Sequence, residues 1–599
     1  MATETETHDI RKGIILGGPR NEDVDFQTTV RGMLEANFED WPNEAGFEGL
    51  NEIRGPVELS IKGSIPVWAA GTLYRTGPGQ YVVENTPKGT FRTTHWFDGL
   101  GHSHKFNIIP NSEKGGSPVR VEYTSRRQSQ ALYDAIKKDG KRPDIGFGQK
   151  MDPCIGLFGK IMSVWRGSPK REDPNFDNVS VAFQANVPGL PSKARATAES
   201  GHRAGIKNLW LTTDNGNMKE IDQNTLEPIG IARQQTLHPL LRGPLSCAHA
   251  QRDPETGDYY NYNLEMGYKS FYRVFCTNAS TGVTKIIATI SAVDVKPAYI
   301  HSFYLTPSFA ILCIPSSHIG TNGIQVPWKG NMVDAIEAFD ESKLCRWFVV
   351  DRLGDRGVVA TFDSPAAFYF HSVNSFEERD QETGDLNVYC DVMQYPNIDV
   401  IRAFEVDVML QRNGAAKKFW GDEERNRNCH VRLTRWKLGI PKSDTNDAGA
   451  SATRRNAEKM FEIKAPHAGE LPTINPTYAT KKHRYVYSIA NRGHSTLFDT
   501  IVKTDVLTHG TTFWDNPSGH TPGEPIFVPR PKSPEDGDLD EDDGVLLSVV
   551  LDGACKTSYL LCLDAKTLRE LGRAECDFAI GFGFHGMHWP APVPTTSQV

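Results

Sequence analysis

The chain has 599 residues, 38% of them apolar and 10% aromatic, enough to bury several small cores or one very large one. Its formal net charge of −8 gives no basic footprint for nucleic acid. Ten cysteines stand singly from Cys154 to Cys576 without a C-x-x-C pair, a pattern of reduced cytoplasmic thiols rather than of a disulfide framework or zinc module. The start, MATETETHDI, lacks the basic and apolar regions of a secretory signal. No apolar run approaches the roughly 18 residues that span a bilayer. The expectation is a soluble, cytoplasmic protein that at most lies on a membrane.

Residues 1–54 are polar, acidic and poorly periodic, and read as an arm wrapped on the surface. From Gly55 to the end, one catalytic-sized domain (55–599) is expected, because strand signals dominate. KSFYRVFC, TKIIATISAV, CRWFVVDR, LNVYCDVM, HVRLTRWKL, RYVYSIAN and GVLLSVVLD are rich in β-branched and aromatic residues, with Gly, Pro, Asn and Asp between them. The best helical pattern is RQSQALYDAIKKD. It opens an insertion, 125–170, that also holds CIGLFGKIMSVWRG (154–167), apolar and aromatic with Lys160 and Arg166 as its cations. That composition suits either a buried helix under a cap or an interfacial patch whose cations meet lipid headgroups. Cys154 beside it is a candidate for acylation, against the simpler reading of a buried thiol. The acidic stretch SPEDGDLDEDDG (533–544) reads as a solvated loop.

Many short strands over so long a chain point to an all-β propeller, a radial array that leaves few exposed sheet edges. Four histidines, His249, His301, His371 and His585, lie in windows that read as inner strand ends: SCAHAQRD, AYIHSFYL, FYFHSVNS and GFGFHGMH. Their separations of 52, 70 and 214 residues suit blades of ~40–50 residues with insertions. Inner strands face one axis, where distant ligands meet, and imidazole without nearby thiolate suits a borderline transition metal. Yet a strand histidine is more often a hydrogen-bonded core residue, and the cluster His95, His102 and His104 and the neighbour His588 compete for the role. Residue types alone do not choose among them.

Longer patterns do. GTLYRTGPG (71–79), HWFDGLGHSHKF (95–106), AHAQRDPETGDYYNYN, IHSFYLT, FHSVNSFEE, EDDGVLLSVVLD, YLLCLDAKTLREL and GFHGMHW occur in the order, and with the residues, of the carotenoid cleavage oxygenase family, which the chain resembles from about Gly55 to Trp589. The resemblance implies a seven-bladed propeller with a helical and loop cap over an axial Fe(II) held by His249, His301, His371 and His585. His95, His102, His104 and His588 are then structural. It further implies three acids that orient the ligands: Asp214 on His301, Glu470 on His371 and Glu524 on His585, with His249 lacking one. Asp214 stands where glutamate is commoner and is one methylene shorter, so its reach is in question.

The implied reaction is addition of O2 across one C=C bond of a polyene held in an apolar tunnel, and scission into two carbonyl fragments without an external reductant. Within the family the sequence is most similar to the fungal branch that cleaves torulene to β-apo-4′-carotenal. The stilbene-cleaving branch carries lysine immediately before the first orienting acid, where this chain has Thr213. Cleavage of another carotenoid, isomerohydrolase chemistry without O2, and a non-enzymatic propeller scaffold are the alternatives. Because such a polyene resides in lipid, the resemblance also favours residues 154–167 as a membrane-contact segment.

Overall fold

The computed structural model describes residues 21–111, 117–150, 173–193, 205–292, 294–442, 454–533 and 536–591. Residues 154–167 and Cys154 lie outside them. Every strand expected above is a strand: KSFYRVFC overlaps Phe271–Thr277, CRWFVVDR contains Cys345–Asp351 and RYVYSIAN contains Tyr485–Ala490. The hairpins close on a repeated local device. In DPETGD, NASTGV and DQETGD the side-chain oxygen of Asp253, Asn278 or Asp380 accepts the backbone N–H groups two and three residues on. Gly257, Gly282 and Gly384 then take the left-handed conformation, with φ of 78°, 70° and 74°.

Five separate sheets of four or five strands follow one another along the chain, from Ala182–Ala185 to Thr511–Phe513. Adjacent sheets pack face to face. Tyr304, Ile311, Trp347 and Phe362 of one interleave with Val388, Cys390, Trp436 and Leu438 of the next. That double burial explains why the middle strands read as nearly continuous apolar runs. The result is the propeller-like all-β arrangement expected, but not seven separate sheets. Apart from the hairpin of Val82–Thr86 with Gly89–Arg92, the remaining strands among the described residues merge into one ten-stranded sheet. The cause is strand Val57–Gly63, which pairs through Ser60–Gly63 with Glu570–Glu575 and through Val57–Leu59 with Val119–Arg127. In the same sheet Gly71–Gln80 lies between Leu100–Pro110 and the late strand His585–Pro590. Opposite ends of the chain are thereby stitched together.

The reading of residues 1–54 as an aperiodic arm missed a helix, Glu22–Glu35, capped by the Asn21 side chain. Among its acids, Phe26, Val30 and Met33 recur at helical spacing and are buried, and Asp25 accepts the Nε2–H of buried His467 at 2.7 Å. The helix Gln130–Asp139 forms as expected and stops at Gly140, φ 64°. Four short helices, Asp399–Ala403, Val406–Met409, Ala415–Trp420 and Glu423–Asn428, are inserted between strands Leu386–Tyr395 and Arg432–Ile440. The acidic loop is neutralised locally: Asp536 meets Arg530, Asp540 meets Lys566, and buried Asp542 meets Lys503. Among the described residues no helix is long and apolar enough to cross a membrane.

Candidate metal centre

Three different backbone settings deliver the four histidines. His249 precedes a short strand and forms a parallel bridge with Ser302. His371 lies in strand Phe368–Arg379 where its register with the neighbouring strand slips, and such slips re-aim side chains. His585 begins strand His585–Pro590 opposite Thr76. Ser302 locks two of these segments together, its Oγ donating to Phe370 O at 2.8 Å and accepting Ser372 N–H at 2.7 Å. Tyr262 reaches across from the preceding sheet and donates to Ser246 O and Ile300 O.

The imidazoles converge. Nε2 of His249 lies 3.0 Å from Nε2 of His301 and 3.0 Å from that of His585, and Nε2 of His371 lies 3.2 Å from that of His585. One ligand atom from each of the four falls within 4.8 Å of the others, and no other such group of His, Cys, Asp or Glu occurs among the described residues. On the far side of three rings stand the three acids. His301 Nδ1–H donates to Asp214 Oδ2 at 2.8 Å, His371 Nδ1–H to Glu470 Oε2 at 2.6 Å, and His585 Nδ1–H to Glu524 Oε1 at 2.7 Å. His249 has no acid partner among the described residues. Asp214, though short, spans the distance.

These acids decide the tautomers. A neutral imidazole that donates through Nδ1 carries its lone pair on Nε2. The Nε2 pair of His371 and His585 is therefore acceptor facing acceptor, not a hydrogen bond. Burial first, then the neighbouring imidazoles, hold His249 and His585 well below the usual histidine range, and for His585 Arg75 adds to this. Burial pushes Glu524 up to about 7, opposed by Arg75 and by the Gly586 N–H.

Each acid has its own support. Asp214 also accepts the Tyr299 hydroxyl at 2.7 Å on Oδ2 and the Ala248 N–H at 3.2 Å on Oδ1. Glu470 Oε2 accepts the Leu471 N–H at 3.2 Å. Glu524 Oε2 accepts Arg75 Nη1–H and the Gly586 N–H, both at 2.7 Å. Sequence reading missed Arg75 and Tyr299. Tyr299 was findable, since residues two apart on an extended segment share a face and it precedes His301 by two. Arg75 gave no local signal.

Three of the four competing histidines are hydrogen-bonded elsewhere, and the fourth, His102, packs against one of them. His95 Nε2 bonds Ile401 O and its Nδ1 accepts Phe97 N–H, so it caps a turn. His104 Nδ1 meets the Tyr123 hydroxyl, His102 lies against His104 with ring centres 4.4 Å apart, and His588 Nε2 meets Ala69 O.

His301, His371 and His585 line a cavity of about 600 Å³, within the usual range for small-molecule sites. Around the histidines its walls carry the aromatic side chains Phe97, Phe147, Phe370, Phe404 and Phe584, and polar residues such as Arg142, Asp177 and Arg233 also line it. Phe97 packs at 5.7 Å, nearly parallel, on Phe404 from the helical insertion and edge-on to Phe584 at 5.1 Å. Thr213 also faces the cavity. The chemistry available is a cation held by four neutral nitrogens beside an apolar, aromatic chamber.

Comparison with known proteins agrees. Residues 46–590 match the family described as retinal pigment epithelial membrane protein. A Neurospora crassa protein named carotenoid dioxygenase is 52% identical over 589 residues, 95% of each chain. A Fusarium fujikuroi protein named torulene dioxygenase is 46% identical over 580 residues, 95% of this chain and 97% of that one. The solved structure of a mutant Synechocystis apocarotenoid oxygenase superposes with a TM-score of 0.66 at 20% identity, covering 93% of this chain and 99% of that one, which is a likeness of fold. Matches this long and this close place the chain in the retinal pigment epithelial membrane protein family, that of the carotenoid cleavage oxygenases.

Proposed function

We propose that this chain is an Fe(II)-dependent dioxygenase that cleaves one C=C bond of a carotenoid, with torulene as substrate and β-apo-4′-carotenal as product. His249, His301, His371 and His585 are the metal ligands, and Asp214, Glu470 and Glu524 orient three of them. The observation that carries this reading is the convergence of four imidazole nitrogens at separations of 3.0–3.2 Å, with His371 and His585 facing each other lone pair to lone pair, an arrangement that a cation resolves. Those separations suit nitrogens at right angles about 2.1 Å from one ion, the geometry of adjacent octahedral positions. Four neutral donors of this kind leave room for further ligands.

Bound there, Fe(II) supplies the electronic coupling that lets O2 add to an alkene. The chain does the rest. The acids turn the Nε2 lone pairs of His301, His371 and His585 inward, and the aromatic side chains of the cavity hold the polyene and exclude water. Selection of the double bond falls to the shape of the cavity. The near relatives named for carotenoid and torulene support the substrate class, and Thr213 in the cavity wall, in place of a phenol-binding lysine, disfavours a stilbene.

On the fold we propose that the ten-stranded sheet is two blades sharing Val57–Gly63, which brings the count to seven. The helical insertion 399–428, which contributes Phe404 to the cavity, then serves as part of a cap. Residues 55–599 are the proposed catalytic unit. Residues 154–167 are the proposed lipid contact, on the strength of their apolar and cationic sequence.

The test is turnover by the Fe(II)-loaded chain in detergent under isotopically labelled O2, offering torulene, β-carotene, retinyl ester and resveratrol. Labelled aldehyde from torulene is expected, and none from His371→Ala. An uncleaved, unlabelled isomer would replace this reading by isomerohydrolase chemistry, and inertness toward every polyene would leave a scaffold.

A further inference from the structure

Of the three orienting acids, only Glu524 is paired with a buried cation. Arg75 and Glu524 have side chains only 4% and 9% exposed, and Nη1–H of Arg75 donates to Oε2 at 2.7 Å. The other oxygen, Oε1, accepts His585 Nδ1–H. The chain His585–Glu524–Arg75 therefore runs from the metal site into strand Gly71–Gln80, the neighbour of strand His585–Pro590 in the ten-stranded sheet. Arg75 also pairs through its backbone with Gly586, the residue after the ligand, and its Nη2 reaches Phe584 O, the residue before it, at 3.4 Å.

The surroundings are shaped to this side chain. A Cβ on Gly586 would stand 2.5 Å from Arg75 Cδ, and one on Gly523 would stand 3.2 Å from Nη2. Both glycines flank the functional residues, in G-E-P at 523–525 and F-H-G at 584–586. Side chains there would displace the guanidinium, the first clash falling on its stem within the packed sheet. A buried ion pair is costly to assemble, and removal of one partner leaves the other as an uncompensated buried charge. A sheet interior that could have been filled by an aliphatic residue has instead been cleared for a cation aimed at one carboxylate.

We propose that Arg75 is a positioning residue of the metal site. It fixes the Glu524 carboxylate so that Oε1 faces His585 Nδ1, and through it fixes the direction of the His585 lone pair. This rests on the reading of the four histidines as a metal site. Arg75 touches neither metal nor polyene, and its effect travels through two hydrogen bonds.

The experiment is a double-mutant cycle on the full chain, metal-stripped and titrated with Co(II), read as affinity by visible absorption. Glu524→Gln and Arg75→Met are each expected to weaken Co(II) binding by about ten- to a hundredfold. The double variant is expected to be no weaker than Glu524→Gln alone, because both act on one bond. A residue that merely supports the fold gives additive losses, and additivity overturns the proposal, as does unchanged affinity in Arg75→Met. Should Arg75→Met not fold, Arg75→Gln, which retains donors without charge, carries the same cycle with the same two overturning results. Co(II) binding by the native chain that persists in His371→Ala would remove the metal-site reading itself. Native binding lost in His371→Ala but indifferent to position 75 would remove only this inference.

Discussion

Replacement of Asp214 by asparagine isolates what the shortest of the orienting acids does. All three groups that reach its carboxylate are donors: His301 Nδ1–H and the Tyr299 hydroxyl on Oδ2, at 2.8 and 2.7 Å, and Ala248 N–H on Oδ1, at 3.2 Å. An asparagine offers one acceptor oxygen and one NH2 that only donates. Its better orientation keeps the oxygen toward His301 and Tyr299 and sets NH2 against the Ala248 N–H. One charge-assisted hydrogen bond is then lost, about 2 kcal/mol or roughly thirtyfold in affinity. Asp214→Ala removes both acceptor oxygens and frees the His301 tautomer, so the loss should reach the hundredfold end of what orienting partners contribute. The assay is Co(II) titration of the metal-free chain against a competing chelator, with circular dichroism confirming the fold. Native affinity in Asp214→Asn, or an alanine variant no weaker than the asparagine one, would refute the reasoning.

Two further outcomes are expected away from the acids. Lys219 is fully buried, its Nζ donating to Gln128 O and Asp177 O, and burial lowers it to about 7 against an opposing pull from Asp177 and Asp173. Between that value and the ordinary 10.5 the unfolded chain binds the extra proton, so this group makes stability rise with pH across the window. Denaturant titrations at pH 7 and 9.5 should show a rise of a few kcal/mol that Lys219→Met abolishes; an unchanged pH slope in the variant would count against it. Phe404→Ala removes a cavity wall that packs on Phe97 and edge-on to Trp96 at 5.2 Å. It should cost about 3 kcal/mol of stability and spread cleavage over more than one double bond by product chromatography, whereas a single native product would show that this wall does not position the polyene.

The strands were legible because their signals are local. Alternation, β-branching and the D-x-x-T-G turns that close hairpins at 253–257 and 380–384 need no knowledge of the rest of the chain. The helix Glu22–Glu35 was not legible, because its three core residues are diluted among acids and the face they form is decided by what it packs against. Count and spacing made the histidines a suggestive foursome, but His95 and His104 have the same chemistry and differ only in having hydrogen-bond partners of their own. Asp214 raised a doubt about reach that a sequence cannot resolve, since a methylene lost in a side chain is recovered by a small backbone shift.

The amino-acid order by itself determined the strands, the net negative charge and the inventory of imidazole donors. Only the tertiary structure decided that Val57–Gly63 pairs on both sides and fuses sheets that the strand pattern leaves separate. It alone placed Arg75 behind Glu524, 449 positions away, and brought a nitrogen of each of four imidazoles to one point. The reason is physical. A side chain's conformational preference is written within a few residues of it, whereas the direction of a lone pair depends on which donor or acceptor the closed propeller brings to the other side of the ring.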